Sequence, residues 1–131
     1  GIAYKEYAIA DTNEVQSVTA AAAGECDVLY IPTDNTLASV TETVHNVVAP
    51  AKVPVIAGEE GICNGCGVAT LSISYYDLGY ATGEMAYEIL AEGADITTMD
   101  VRYAPNVTKK YNAKICEELG ITVPDDYVAI Q

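Results

Sequence analysis

Asp27-Val28-Leu29-Tyr30-Ile31-Pro32-Thr33-Asp34-Asn35 is an apolar run that stops abruptly at Thr-Asp-Asn and gives way to a helix-patterned segment. Such a stretch is a strand that delivers polar groups to a helix N-terminus, the place where open α/β sheets bind small ligands. Two further apolar runs end the same way. Val53-Pro54-Val55-Ile56-Ala57 runs into Gly58-Glu59-Glu60, and Val68-Ala69-Thr70-Leu71-Ser72-Ile73 runs into Ser74-Tyr75-Tyr76. Hydroxyls, carboxylates and phenols at three strand ends predict one shared site, in which Asn35, Glu59 and Tyr75 touch the same molecule.

The segments between these runs predict the rest. Tyr7–Ala10 reads as a short strand, and Asp11-Thr12-Asn13-Glu14 as a capping box before an Ala-rich helix reaching Glu25. Leu37, Val40, Val44, Val47 and Val48 form one apolar face of a helix over 36–49, which Pro50 helps to end. The continuously apolar 53–57 run suits a parallel strand covered on both faces, and 58–67 reads as a loop. A helix over 76–91 buries Leu78, Ala81, Met85, Ile89 and Leu90, with Gly79 and Gly83 marking a close-packing surface. Val101–Ala104 reads as a crossing strand. A last helix over 108–119 turns Tyr111, Ile115 and Leu119 inward and stops at Gly120, a left-handed cap. The order predicts an α/β fold: a three-layer, mostly parallel sheet in a single lobe over 1–131.

Bulk composition narrows the function. With 131 residues and half of them hydrophobic, the chain can bury a sizeable core. A net charge of −13 with only six Lys and Arg argues against nucleic acid and against anionic membrane surfaces, both of which need clustered cations. No apolar run approaches the length of a membrane span, and no secretory signal opens the chain, so it is expected to be soluble as given. Gly1-Ile2-Ala3-Tyr4-Lys5 reads as the middle of a fold, hence a fragment of a larger, exported protein.

Catalysis finds no support. Phosphate-loop, dinucleotide, zincin and nucleophile-elbow signatures are missing, and the one histidine, His45, sits mid-helix beside an apolar stripe. Cys63-Asn64-Gly65-Cys66 precedes a strand rather than opening a helix, and Cys26 and Cys116 lie elsewhere, so loop thiols or disulfides are expected and neither metal nor other cofactor. Binding fares better. Candidate ligand contacts are Thr33, Asp34, Asn35, Glu59, Ser74, Tyr75 and Tyr76. Glu59 suits an ammonium, Asp34 is either a contact or a helix cap, and the tyrosines offer flat amphipathic surface. Glu60 is expected to be solvated.

Ile31-Pro32-Thr33-Asp34-Asn35-Thr36, Val53-Pro54-Val55-Ile56-Ala57-Gly58-Glu59, Ala69-Thr70 through Ser74-Tyr75-Tyr76-Asp77-Leu78-Gly79, and Leu119-Gly120-Ile121-Thr122-Val123-Pro124 together resemble the C-terminal half of bacterial ABC-transporter substrate-binding proteins of the tryptophan/tyrosine-uptake type. The resemblance implies one lobe of a two-lobed type I periplasmic-binding-protein fold. It implies an extracytoplasmic protein, periplasmic or lipoprotein-anchored, that captures an aromatic or apolar amino acid for a membrane permease. An N-terminal lobe, missing here, would hold most of the ligand carboxylate. Ser72-Ile73-Ser74 stands where the family usually reads Gly-Ile-Asp, which removes a carboxylate beside Tyr75. The resemblance further implies another strand between the first two seen here, and thus an unmet sheet position that favours homo-oligomers or swapped dimers in an isolated lobe. Two other readings share the architecture. A response-regulator-like phosphoacceptor would use Asp34 but lacks the late lysine, and the effector-binding domain of a transcriptional regulator would need a DNA-binding module upstream.

Overall fold

A computed structural model describes residues 1–130. The chain forms two compact units: residues 1–71 together with the chain from 109 onward, and residues 72–108. A five-stranded sheet runs through it in the order β1 (Leu29–Ile31), β2 (Val55–Ala57), β3 (Ala69–Ile73), β4 (Val107–Tyr111), β5 (Val128–Ala129). The pairs β1–β2, β2–β3 and β4–β5 are parallel, with Ile31 opposite Ala57 and Ala57 opposite Thr70. The expected α/β class with a mostly parallel sheet is what forms.

In the first unit, α1 (Val15–Glu25) starts where expected. Asp11 Oδ1 accepts the Asn13 N–H at 2.8 Å, and Glu14 Oε2 reaches back to the Ala10 N–H at 3.0 Å. These bonds shape the turn that leads into the helix, whose own first-turn N–H groups receive no side-chain cap from Glu14, so the expected capping box does not form. Val15, Thr19 and Ala22 form the buried stripe at helical spacing. The single helix expected over 36–49 is two, α2 (Asn35–Ala38) and α3 (Thr41–Ala51). The break falls at Ser39-Val40, where Ser39 Oγ donates to Thr36 O at 2.7 Å and Val40 leaves the helical region at φ −134°. A side chain competing for backbone acceptors is enough to end so short a helix. Pro50 does not stop α3 but sits inside its last turn. There it forfeits one bond, and the end closes instead on left-handed Lys52 (φ 54°), with Val53 N–H on Val48 O and Lys52 N–H on Ala49 O, each at 3.1 Å.

Three further expectations fail in this unit. Residues 58–67 are not all loop, since α4 spans Glu60–Cys66. Tyr7–Ala10 forms no strand, although Ile9 packs against the core. The last helix begins late: Val107–Tyr111, rich in strand-forming residues, is β4. Only after Asn112 Oδ1 caps the Ile115 N–H at 3.2 Å does α6 (Ala113–Leu119) start. Its end at Gly120, φ 68°, is as expected.

The core lies between the sheet and α1, α3 and α4: Val15, Ile31, Val44, Val48, Val55, Ala57, Ile62, Cys63 and Cys66 are buried together. Strand side chains alternate, so Tyr30, Ile56 and Leu71 occupy the opposite face, at 68, 38 and 58% exposure. Ile56 thus departs from the expectation of a strand covered on both sides. A second cluster gathers Val68, Ile115 and Cys116.

The second unit is α5 (Tyr75–Leu90), a short 3₁₀ turn (Ile96–Thr98) and irregular chain. Ser74 Oγ accepts the Asp77 N–H at 3.1 Å and starts α5 one residue earlier than expected. The stretch 101–104 is not a strand; Arg102 there grips both oxygens of Glu88 at 2.7 and 2.8 Å. A Cβ built at Gly79 or Gly83 meets nothing within 4 Å, so their spacing marks no close packing within this unit.

Ile62, fully buried, is the sharpest probe of this packing. Ile62→Ala should cost about 2–5 kcal/mol, whereas Leu90→Ala, at an exposed position, should stay within about 0.5 kcal/mol. Urea unfolding midpoints at unchanged slope provide the check.

Candidate ligand site

Parallel pairing sets the carboxyl ends of β1 and β2 side by side, and two bonds tie the turns beyond them. The Gly58 N–H donates to Ile31 O at 2.7 Å, and Thr33 Oγ1 donates to Gly58 O at 3.2 Å. The turns approach so closely that a Cβ on Gly58 would stand 2.6 Å from Thr33 N and 2.8 Å from Pro32 C. Only glycine fits this crossing, because both obstructing atoms are backbone.

From these turns come four of the residues singled out from the sequence. Thr33, Asp34 and Asn35 are exposed, and Glu59 is half-buried. Asp34 Oδ1 accepts the Leu37 N–H at 2.8 Å and is the cap of α2. Its carboxylate is thereby committed to starting a helix, which weakens the phosphoacceptor reading. Asn35 is the first residue of α2 and presents an exposed amide. Glu59 is also a cap: Oε2 accepts the Gly61 N–H at 2.7 Å and Oε1 accepts the Ile62 N–H. A carboxylate offers about four acceptor sites, so two bonds to α4 leave capacity for a donor arriving from solvent. The remaining three residues, Ser74, Tyr75 and Tyr76, belong to the second unit. Ser74 caps α5, and the two tyrosines are 58 and 79% exposed.

Sequence reasoning missed the supports of Glu59. Glu60, expected to be solvated, is an ion-pair partner of Lys110 at 2.6 Å. The Asn112 amide donates to Cys63 O at 3.3 Å and to Asn64 O at 2.9 Å while its oxygen caps α6, so one side chain fixes the far end of α4. An Asn followed by an Ala-Lys-Ile start is a readable cap; its second partner, 48 residues away, is not.

Cys26, free and half-buried just past α1, fits the expectation of a loop thiol, but the other three cysteines do not. Cys63 and Cys66 lie in α4 and Cys116 in α6, all buried and all free. Cys66 Sγ donates to Ile62 O and Cys116 Sγ to Val68 O, each at 3.4 Å. Burial pushes Cys63 and Cys66 up to about 12, with the neighbouring Cys116 and Cys66 adding to the rise at Cys63 and Glu59 to that at Cys66. Thiols held neutral in this way are poor nucleophiles and poor metal ligands. Among the described residues no group of three or more His, Cys, Asp or Glu is placed to hold a metal ion. His45 Nε2 lies 4.0 Å from a Glu118 oxygen. A cavity of about 1120 Å³ is lined by Pro32, Asp34, Thr36 and Leu37 from the β1 turn together with residues of the 2–9 segment, α1, β1 and Ile56.

A family model described as ABC transporter substrate binding protein matches residues 1–130. A tyrosine-binding protein of Clostridioides difficile (strain R20291) is 39% identical over 100 residues, covering 72% of this chain and 29% of that protein. Among solved structures, the ABC domain from Streptococcus pneumonia in complex with L-Trp superposes with a TM-score of 0.81 at 32% identity, over 92% of this chain and 41% of its own. The ligand-free, open structure of CD0873, a substrate binding protein with adhesive properties from Clostridium difficile, gives a TM-score of 0.70 at 36% identity, over 94% of this chain and 43% of its own. The chain therefore spans less than half the length of each of these relatives.

Gly58→Ala should drive the β1 and β2 turns apart and lower the urea midpoint. Gly24→Ala, in α1 with open space around its Cβ, should instead raise stability by about 0.5–1 kcal/mol. The thiols give a pH signature. Their folded pKa is raised, so the unfolded chain ionises first; their contribution is complete below the unfolded value of about 9 and is lost as pH climbs toward about 12. At pH 8, Ellman's reagent should label half-buried Cys26 readily and Cys63, Cys66 and Cys116 only as fast as the chain opens.

Proposed function

Because the chain belongs to the family of ABC transporter substrate-binding proteins, we propose that it is the solute-capturing C-terminal lobe of an importer whose ligand is an aromatic amino acid. The family binds and hands over a solute and performs no chemistry on it. One observation supports the reading above others: the Thr33–Gly58 bond joins two strand-end turns and presents Asn35 and Glu59 from adjacent β1 and β2. The L-Trp complex and the tyrosine-binding relative support an aromatic amino acid as the ligand.

In this reading the spare acceptor capacity of Glu59 receives the ligand ammonium, in the charge-assisted mode that is about twice as strong as a neutral hydrogen bond. Asn35 binds a polar edge of the ligand. Thr33 and Asp34 hold the turn in shape, since their side chains already bond Gly58 and Leu37. Tyr75 and Tyr76 supply exposed aromatic faces and Ser74 orders the helix that carries them. An N-terminal lobe takes the ligand carboxylate, a membrane permease receives the cargo, and the whole protein works outside the cytoplasm, periplasmic or lipid-anchored.

A thermal-shift screen of amino acids against the complete two-lobed protein tests this. A ligand at a hundred times its dissociation constant adds about 2.7 kcal/mol, so tryptophan or tyrosine should raise the melting temperature while lysine and glutamate do not. Asn35→Ala, at an exposed position, should leave unliganded stability within about 0.5 kcal/mol and weaken the aromatic ligand by about 0.5–1.5 kcal/mol. A protein stabilised only by a solute of another class, or an Asn35 variant with unaltered affinity, would refute the assignment.

A further inference from the structure

Lys110 brings a full positive charge to the head of α4, and it arrives on rigid structure. It lies in β4, in register with Val128 of β5, and two residues later the Asn112 amide donates to Cys63 O and Asn64 O. The end of β4 thus grips α4 twice: Asn112 holds its last turn, and Lys110 holds Glu60 in its first, with Nζ 2.6 Å from Oε2. At 27% side-chain exposure, Lys110 is the least exposed lysine or arginine in an ion pair among the described residues; the others range from 39 to 84%. Salt and water screen such a pair less than they screen the exposed ones.

The carboxylates that follow β1 and β2 are compensated in different ways. Asp34 accepts the Leu37 N–H, and Glu59 accepts those of Gly61 and Ile62. Amide dipoles at a helix start stabilise a carboxylate without cancelling its charge. Glu60, next to Glu59, is instead paired with the Lys110 ammonium, and a full positive charge does cancel it. The turns therefore carry one less negative charge than their carboxylates supply. An α-amino acid is a zwitterion: its ammonium is drawn to Glu59 while its own carboxylate is repelled by each further acid nearby. The corresponding amine has no carboxylate and gains from every added negative charge. We propose that Lys110 is a specificity-determining residue of this site: by neutralising Glu60 it holds down the negative charge beside Glu59 and so favours a zwitterionic amino acid over its decarboxylated amine. Lys110 does this without touching the ligand, through Glu60 and the field at Glu59. This role rests on the amino-acid reading above, with Glu59 as the ammonium acceptor.

Calorimetric titration of the complete two-lobed protein with tryptophan and tryptamine, and with tyrosine and tyramine, tests it. In Lys110→Gln the affinity for the amine relative to the amino acid should rise roughly three- to fivefold at low salt, and the gain should shrink as salt is added. Glu60→Gln should move the same ratio the opposite way, and the double Glu60→Gln/Lys110→Gln variant should return it close to the wild-type value. Loss of α4 geometry alone would weaken amine and amino acid alike and show no reversal of sign. Should Lys110→Gln fail to fold, the direction of the Glu60→Gln change decides. A ratio unmoved by Lys110→Gln, or moved the same way by both single changes, in a protein that still binds tryptophan or tyrosine would overturn the role of Lys110 and leave amino-acid capture standing. A wild-type protein that binds neither amino acid would refute capture itself, and the role with it.

Discussion

The crossing of the β1 and β2 turns at Gly58 is the constraint on which the rest of the molecule depends. With Thr33 N only 2.6 Å from where a Cβ would sit, the two backbones approach as closely as sterics permit, and the register that sets Ile31 beside Ala57 follows. From the same crossing Asp34 and Glu59 emerge and begin α2 and α4. α4 then drives Ile62, Cys63 and Cys66 into the centre of the core. Site and core are thus one construction: the carboxylate that faces solvent at the head of α4 also fixes the angle at which the most buried side chains enter.

That sharing explains what the sequence let one read and what it hid. β1, β2, β3 and α1 were legible from apolar periodicity; the extent of α5 was legible too, but its expected buried stripe was not realised, since none of its residues is buried and Leu90 is 85% exposed. α4 was not, because its cap is Glu59, outside the usual Ser, Thr, Asp and Asn set, and because Gly61 and Gly65 look like loop residues. Gly65 is in fact there for packing, since a Cβ would stand 2.1 Å from Thr41 Oγ1 of α3. The four-residue α2 was fused with α3 because the apolar stripe continues across a break made by Ser39, a local bond with no periodicity. Tyr111 was placed on a helix face that begins only after Asn112. Of the site itself, residue types at the strand ends were readable; the pairing of Lys110 with Glu60 across 50 residues was not.

Charge is distributed with the same economy. Lys5, Arg102, Lys109, Lys110 and Lys114 each stand in an ion pair, and six Lys and Arg against 19 acids cannot neutralise the acidic surface. Exposed pairs of this kind add little to stability, a median of about 0–1 kcal/mol. Their effect is on the field: a surface of uncompensated carboxylates concentrates cations and zwitterions presenting an amine, and repels nucleic acid.

The first unit is discontinuous in sequence, built from residues 1–71 and from the chain beyond 108. Val68 has its shell completed by Ile115 and Cys116, so β3 must wait for α6. During synthesis α1 and β1–β3 emerge first but remain without their closing helix until the ribosome has made the chain through α6. Non-local closure of this sort slows folding and lengthens the interval in which apolar strands stand uncovered. Nascent-chain quality control, rather than equilibrium stability, is where this architecture is most exposed.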